Sequence, residues 1–148
     1  MKTINFLAFS IVFIGLITLS SCSKETRIEK NLWKKGGEWN IESQTAKKTS
    51  TFAPDNYEYT QDSVGTYTFY EDGKGIYKHN AELLSAAFTY SNTENKLTIV
   101  EQNVSRAYDI VEWKKNNLKI SYTESFYEGV NGNFGTGTYT EVITLKKR

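Results

Sequence analysis

Arg106, Tyr108, Tyr122, Glu124 and Glu141 are the residues whose types and spacing suggest a binding chemistry. A guanidinium holds a carboxylate through two parallel hydrogen bonds, so Arg106 is a candidate anchor for an anionic group, with Tyr108 and Tyr122 as hydroxyl donors beside it. Glu124 and Glu141 compete for the same guanidinium. The three charges then form either a mutually satisfied polar cluster or a site near one mouth of the fold. A third arrangement stays open: all three lie near the ends of extended runs, where a one-residue bulge turns them to solvent. Two carboxylates about 5 to 9.5 Å apart would also serve as acid and base in glycoside hydrolysis. With 17 acidic residues in the chain, however, such pairs arise by chance. His79, the single histidine, has no nucleophilic cysteine to serve, and no serine stands in a nucleophile motif. These observations point away from an enzyme. One cysteine and one histidine exclude a zinc site of the Cys/His type, and no metal or other cofactor is implied.

Such residues meet only if strands bring them together. From residue 39 onward, runs rich in Tyr, Thr, Phe, Val and Ile alternate with clusters of Gly, Asn, Asp and Lys, the pattern of antiparallel strands joined by tight turns. Eight runs lie near 39–52, 63–71, 75–80, 85–91, 96–102, 105–113, 117–126 and 137–146. Asp72-Gly73, with Gly75 close behind, supplies positive-φ positions for a hairpin, and 92–95 and 114–117 are polar breaks of hairpin length. Pro54 fits a loop between the first two runs. Residues 128–137, with four glycines and two asparagines, read as a mobile loop; 81–87 reads equally as strand or helical turn. Eight short strands with sequential connections favour an all-β, antiparallel up-and-down barrel over a two-sheet sandwich. Alternation then proposes an interior of Gly65, Tyr67, Phe69, Phe88, Tyr90, Leu97, Ile99, Tyr108, Ile110, Leu118, Ile120, Tyr122, Ile143 and Leu145. Of these, Tyr67, Phe69, Phe88 and Tyr90 serve as core or as ligand contacts.

The N-terminal end carries an address. Met1-Lys2-Thr3 precedes a nearly unbroken apolar run from Ile4 to Leu19, shorter than the roughly 18 to 20 residues of a spanning helix. It closes on Leu19-Ser20-Ser21-Cys22, which resembles the bacterial lipobox: an aliphatic residue, two small residues and the lipid-accepting cysteine. The resemblance implies cleavage before Cys22, removal of residues 1–21 as a signal peptide, and acylation of Cys22. Several acyl chains on one residue hold a protein on a membrane far more firmly than one. The polar stretch 22–32 shows no repeating apolar face and reads as a lipidated tether. Residues 33–148 remain for the domain. Lys2 is the only charged residue before Cys22, so 17 basic side chains face 17 acidic ones in the remainder, which gives no electrostatic case for nucleic acid.

Gly37-Glu38-Trp39 looks like the Gly-x-Trp that opens the lipocalin barrel, in which the tryptophan plugs the closed end. The succession of Thr68 to Gly73, then Tyr108-Asp109-Ile110, a turn and Leu118-Lys119-Ile120 is similar to lipocalin-like domains on many Bacteroidetes lipoproteins. The resemblance spans residues 33–148. It implies a barrel, a location on the outer membrane at its periplasmic face or the cell surface, and binding of a small apolar or amphipathic molecule. Arg106 and Tyr108 also resemble the Arg-x-Tyr with which fatty-acid-binding barrels hold a carboxylate. Two features depart from the lipocalin pattern: there is no Thr-Asp-Tyr between the sixth and seventh runs, and the one arginine after the last run is the terminal Arg148. The alternative is a barrel packed solid by its large inward side chains, acting as an interaction module for another envelope protein.

Overall fold

The computed structural model of the chain describes residues 23–51, 55–81, 85–130 and 133–148. The proposed signal peptide, Cys22 and Pro54 lie outside the described residues. Eight antiparallel strands close a barrel in sequence order: β1 (Glu38–Ser50), β2 (Tyr57–Phe69), β3 (Lys74–His79), β4 (Ser85–Asn92), β5 (Lys96–Glu101), β6 (Val104–Lys114), β7 (Asn117–Val130) and β8 (Asn133–Lys147). β1 pairs with both β2 and β8, so no strand is left as a full-length edge. The all-β, up-and-down, eight-stranded barrel expected from the turn spacing is what the chain forms.

The turns carry the local reasons for this order. Gly73 takes φ +77 in the β2–β3 hairpin, whereas Gly75 does not have positive φ and serves differently. The Phe88 ring lies directly over it, and an added Cβ would overlap that ring and come within 2.6 Å of the Thr68 carbonyl oxygen. Gln102 and Asn103 both take positive φ, at 49° and 67°, as a two-residue turn matched to strand twist requires.

The core fills the end of the barrel where β1 begins. Phe69, Phe88, Tyr90, Leu97, Ile99, Leu118, Ile120, Ile143 and Leu145 are buried there, as the alternation of each strand proposed, and Trp39 and Ile41 of β1 join them. Phe69 sits at the centre of an aromatic set, with edge-on contacts to Phe88 at 5.5 Å and Tyr90 at 5.0 Å. Edge-to-face pairs of this kind add to the burial itself.

The segment read as a tether is ordered, which corrects that reading. Helix α1 (Lys24–Trp33) lies across the same end, with Ile28 and Leu32 fully buried. Ser23 caps it, its Oγ accepting from the Thr26 amide at 3.2 Å; Glu25 in the first turn and Lys30 in the last suit the helix dipole. Two apolar residues four apart are enough, because each contributes about 1.5 to 3 kcal/mol on burial. Trp39 donates from Nε1 to the Leu32 carbonyl at 2.9 Å, joining helix to barrel. Lys147 donates to the Asn31 carbonyl and lies over the Trp39 ring.

At the other end the strands are unequal. β2 pairs with β3 only from Gly65 to Phe69, and the β6–β7 ladder runs from Lys114 to Asp109 on β6. β2, β1, β8 and β7 continue past that level as a four-stranded wall, the β7–β8 ladder reaching Val130↔Asn133. The glycine-rich segment expected to be a mobile loop is mostly strand. Gly137 is there because the Phe126 ring occupies the space a side chain would need.

Candidate functional site

Bulges decide which side chains reach the open mouth. On β1 the register shifts between Ile41 and Ser43, so Gln44, Ala46 and Lys48 continue the inward face of Trp39 and Ile41. On β2 the matching irregularity falls at Ser63, whose φ is +53, and brings Tyr57, Tyr59 and Gln61 to the same face. Two rows then cross the wall. One runs Tyr59, Ala46, Glu141, Tyr122; the next runs Tyr57, Lys48, Tyr139, Glu124.

Glu141 is the buried polar centre of this surface. Its Oε2 accepts from the Tyr108 hydroxyl at 2.9 Å and its Oε1 from Gln44 Nε2 at 2.5 Å. A carboxylate in a partly dry site requires such donors. Glu124 is exposed and accepts from the Tyr122 hydroxyl at 2.5 Å. The Tyr108 and Tyr122 rings lie 5.7 Å apart, and Tyr139 follows Tyr122 at 6.5 Å.

Arg106 pairs with Ile99 across β5 and so faces inward, but it lies beyond the last β6–β7 pair and is exposed. It makes no ion pair among the described residues, which corrects the expected cluster: Glu141 is held by an amide and a phenol, Glu124 by a phenol. The guanidinium still stands in a field of acceptors. Its partial burial disfavours the charge, and Tyr108, Glu141, Tyr139 and Tyr122 outweigh that and raise its pKa.

The phenols are held protonated. Burial, and then the Glu141 charge, push the Tyr139 hydroxyl up to about 12, and the same two causes raise Tyr108 and Tyr67 further. Tyr122 is raised by its bond to Glu124, then by burial. At neutral pH the mouth therefore presents neutral phenols, of which Tyr108 and Tyr122 already donate to Glu141 and Glu124, together with the Arg106 cation. This suits hydrogen bonding and stacking, and it supplies no general base in the phenols. Among the described residues no three His, Cys, Asp or Glu side chains gather as metal ligands.

The nine residues read as a ligand site divide in two. Arg106, Tyr108, Tyr122, Glu124 and Glu141 come together at the mouth, and Tyr67, partly buried, lies between mouth and core. Phe69, Phe88 and Tyr90 do not reach it. They are buried in the aromatic core, and the Tyr90 hydroxyl donates to the Tyr70 carbonyl at 2.6 Å in the opposite turn. Gln44, Tyr57, Tyr59 and Tyr139 belong to the mouth and were not read from the sequence. Continuing the inward alternation of β8 from Ile143 and Glu141 would have reached Tyr139; the β1 and β2 bulges hide the others.

No family model matches the sequence, and no curated protein matches it. Above the mouth the wall carries a groove of about 500 Å³ between 49–51, 125–127 and 136–138. The inner wall beside it is braced by Lys48, which pairs with Glu128 at 3.1 Å and lies over the Phe126 ring.

Proposed function

We propose that the chain is an outer-membrane lipoprotein, held by lipid on Cys22, whose barrel binds a small amphipathic molecule at its open mouth. The observation that carries the binding reading is the mouth itself: an inward arginine without an ion pair among the described residues, beside neutral tyrosine hydroxyls, above a filled core. A filled core places the ligand across the mouth and against the wall rather than deep in the barrel. Its apolar part stacks on Tyr57, Tyr59 and Tyr139, and its polar part meets Arg106 and the hydroxyls of Tyr108 and Tyr122. The role is binding and not catalysis. The anchoring reading rests on the lipobox-like run before Cys22, and among the described residues no helix is long and apolar enough to cross a membrane.

Native mass spectrometry of the protein purified from its own envelope tests the binding reading. A small-molecule adduct lost in Arg106→Ala and weakened in Tyr122→Phe is expected. An adduct unchanged in both variants would move the site elsewhere.

One observation favours a second reading, docking of an envelope protein. Tyr127 and Phe134 share the outer face of the wall near the β7–β8 turn and are 87% and 88% exposed. Large exposed aromatics so close together suit a protein contact. Absence of any adduct, with a co-purifying protein lost in Tyr127→Ser/Phe134→Ser, would favour it.

A further inference from the structure

The capped end carries a second concave feature, separate from the mouth. Arg27, Lys30 and Asn31 on one side of α1, Lys34 directly after it, and Trp113 and Lys115 on the β6–β7 hairpin border a groove of about 740 Å³. Lys114, also on its rim, is paired with Glu112 at 2.7 Å. Arg27, Lys30, Lys34 and Lys115 make no ion pair among the described residues. Arg27 lies over the Trp113 ring, 5.8 Å from its centre. Asn31 Nδ2 is buried without a hydrogen-bond partner among the described residues. The acidic residues of the helix are segregated from this groove: Glu25 and Glu29 lie beside Gly73 and Tyr90. With basic and acidic residues nearly balanced over the chain, four unpaired cations in one groove are a local feature.

We propose that this groove binds the phosphate of an anionic phospholipid headgroup in the membrane that holds the chain. The proposal rests on the lipid-anchored reading for its placement. Ser23, the helix cap, is the only residue between Cys22 and α1, so a lipid on Cys22 brings the capped end to the bilayer. A helix of 10 residues is about 15 Å long, which keeps its cations within about two screening lengths of the anchor. The chemistry fits phosphate. Arg27 offers a planar fork, Lys30, Lys34 and Lys115 offer point charges, and the Asn31 amide is a donor without an acceptor. Trp113 suits the interface just below a headgroup, which a free phosphate would not need. The mouth, at the opposite end of the barrel, would then face away from the bilayer.

The test uses the full chain in a neutral maltoside detergent and native mass spectrometry with dioctanoyl phosphatidylglycerol, dioctanoyl phosphatidylcholine or inorganic phosphate. Each cation near an anionic surface is worth roughly a five-fold change in binding. Phosphatidylglycerol should therefore bind at least about ten-fold better than phosphatidylcholine. Lys30→Gln/Lys34→Gln/Lys115→Gln should abolish that preference, whereas Lys47→Gln/Lys78→Gln/Lys96→Gln, with the same loss of charge, should keep it. Equal binding of the two lipids, or equal losses in both triple variants, would overturn the groove. Inorganic phosphate displacing phosphatidylglycerol at equal concentration would overturn the lipid assignment. Acyl labelling separates the anchor from the groove. A wild-type chain without label that keeps its phosphatidylglycerol preference refutes only the anchor; a labelled chain without the preference refutes only the groove.

Discussion

Replacing Tyr108 by Phe removes one oxygen and little else, and the structure sets what that oxygen is worth. Tyr108 is 4% exposed and donates to Glu141, itself 6% exposed, so water cannot readily replace the hydroxyl. A hydrogen bond to a charged group contributes about 1.5 to 3 kcal/mol, and a buried acceptor left without its donor costs within the same range. Gln44 still serves the other carboxylate oxygen, which keeps the expected loss from rising further. Tyr108→Phe should therefore destabilise the barrel by about 1.5 to 3 kcal/mol, lowering the urea midpoint by about 1 M with little change in slope. Tyr122→Phe is the control. Its partner Glu124 is exposed, so water substitutes and the cost should stay within about 0.5 kcal/mol. A cycle with Glu141→Gln should show coupling to Tyr108 of about 1 kcal/mol or more. Equal urea midpoints for the two phenylalanine variants would refute the idea that Glu141 is the buried polar centre of the mouth.

Trp39→Ala should cost about 3 to 5 kcal/mol, since the ring is fully buried and its indole nitrogen ties α1 to the barrel; a cost near zero in a urea melt would contradict that packing. Arg106→Ala should cost only about 0 to 1 kcal/mol, as an exposed cation without an ion pair among the described residues; a loss above about 3 kcal/mol would restore the buried cluster that the sequence suggested. Tyr90 and Tyr139, both pushed up to about 12, stay protonated in the folded protein while their unfolded counterparts ionise near pH 10. Their contribution is fully present below about pH 10 and is lost as pH rises toward about 12, so urea midpoints should fall across that interval; a flat profile would refute the burial of these hydroxyls.

The barrel was legible because its turns carry chemistry and its strands alternate: the eight runs lie close to β1 to β8, and the apolar inward residues are the buried ones. Single-residue irregularities hid the rest. At Val111 the β6–β7 register slips, so Trp113 pairs with Leu118 and packs against the core, where strict alternation would have put Glu112. The slip after Ile41 does the same to Gln44. Continuing the β6–β7 hairpin past Asp109↔Ser121 would set Arg106 opposite Glu124, but the ladder ends at that pair. Glycine content misled in 128–137 because composition does not distinguish a glycine that loosens a loop from one that makes room for Phe126. α1 was missed because its apolar face is two residues, Ile28 and Leu32, and what makes them sufficient is the barrel end beneath them.

Stability and exposure are divided along the barrel axis. Near the cap, all eight strands are paired in a ring, the interior is filled, and α1 seals it with Ile28, Leu32 and the bond from Trp39. At the mouth, four strands continue without the other four, and the side chains they present are tyrosines, threonines and charges that water can reach. Backbone opening has its lowest cost where apolar contacts are few, so fluctuations belong to the wall and not to the ring. The proposed ligand would then meet a wall that can adjust while the capped end stays closed. The chain enters at that closed end, through Ser23 and α1. With lipid on Cys22, attachment and adjustable mouth would stand at opposite ends of one rigid ring, and neither would strain the other.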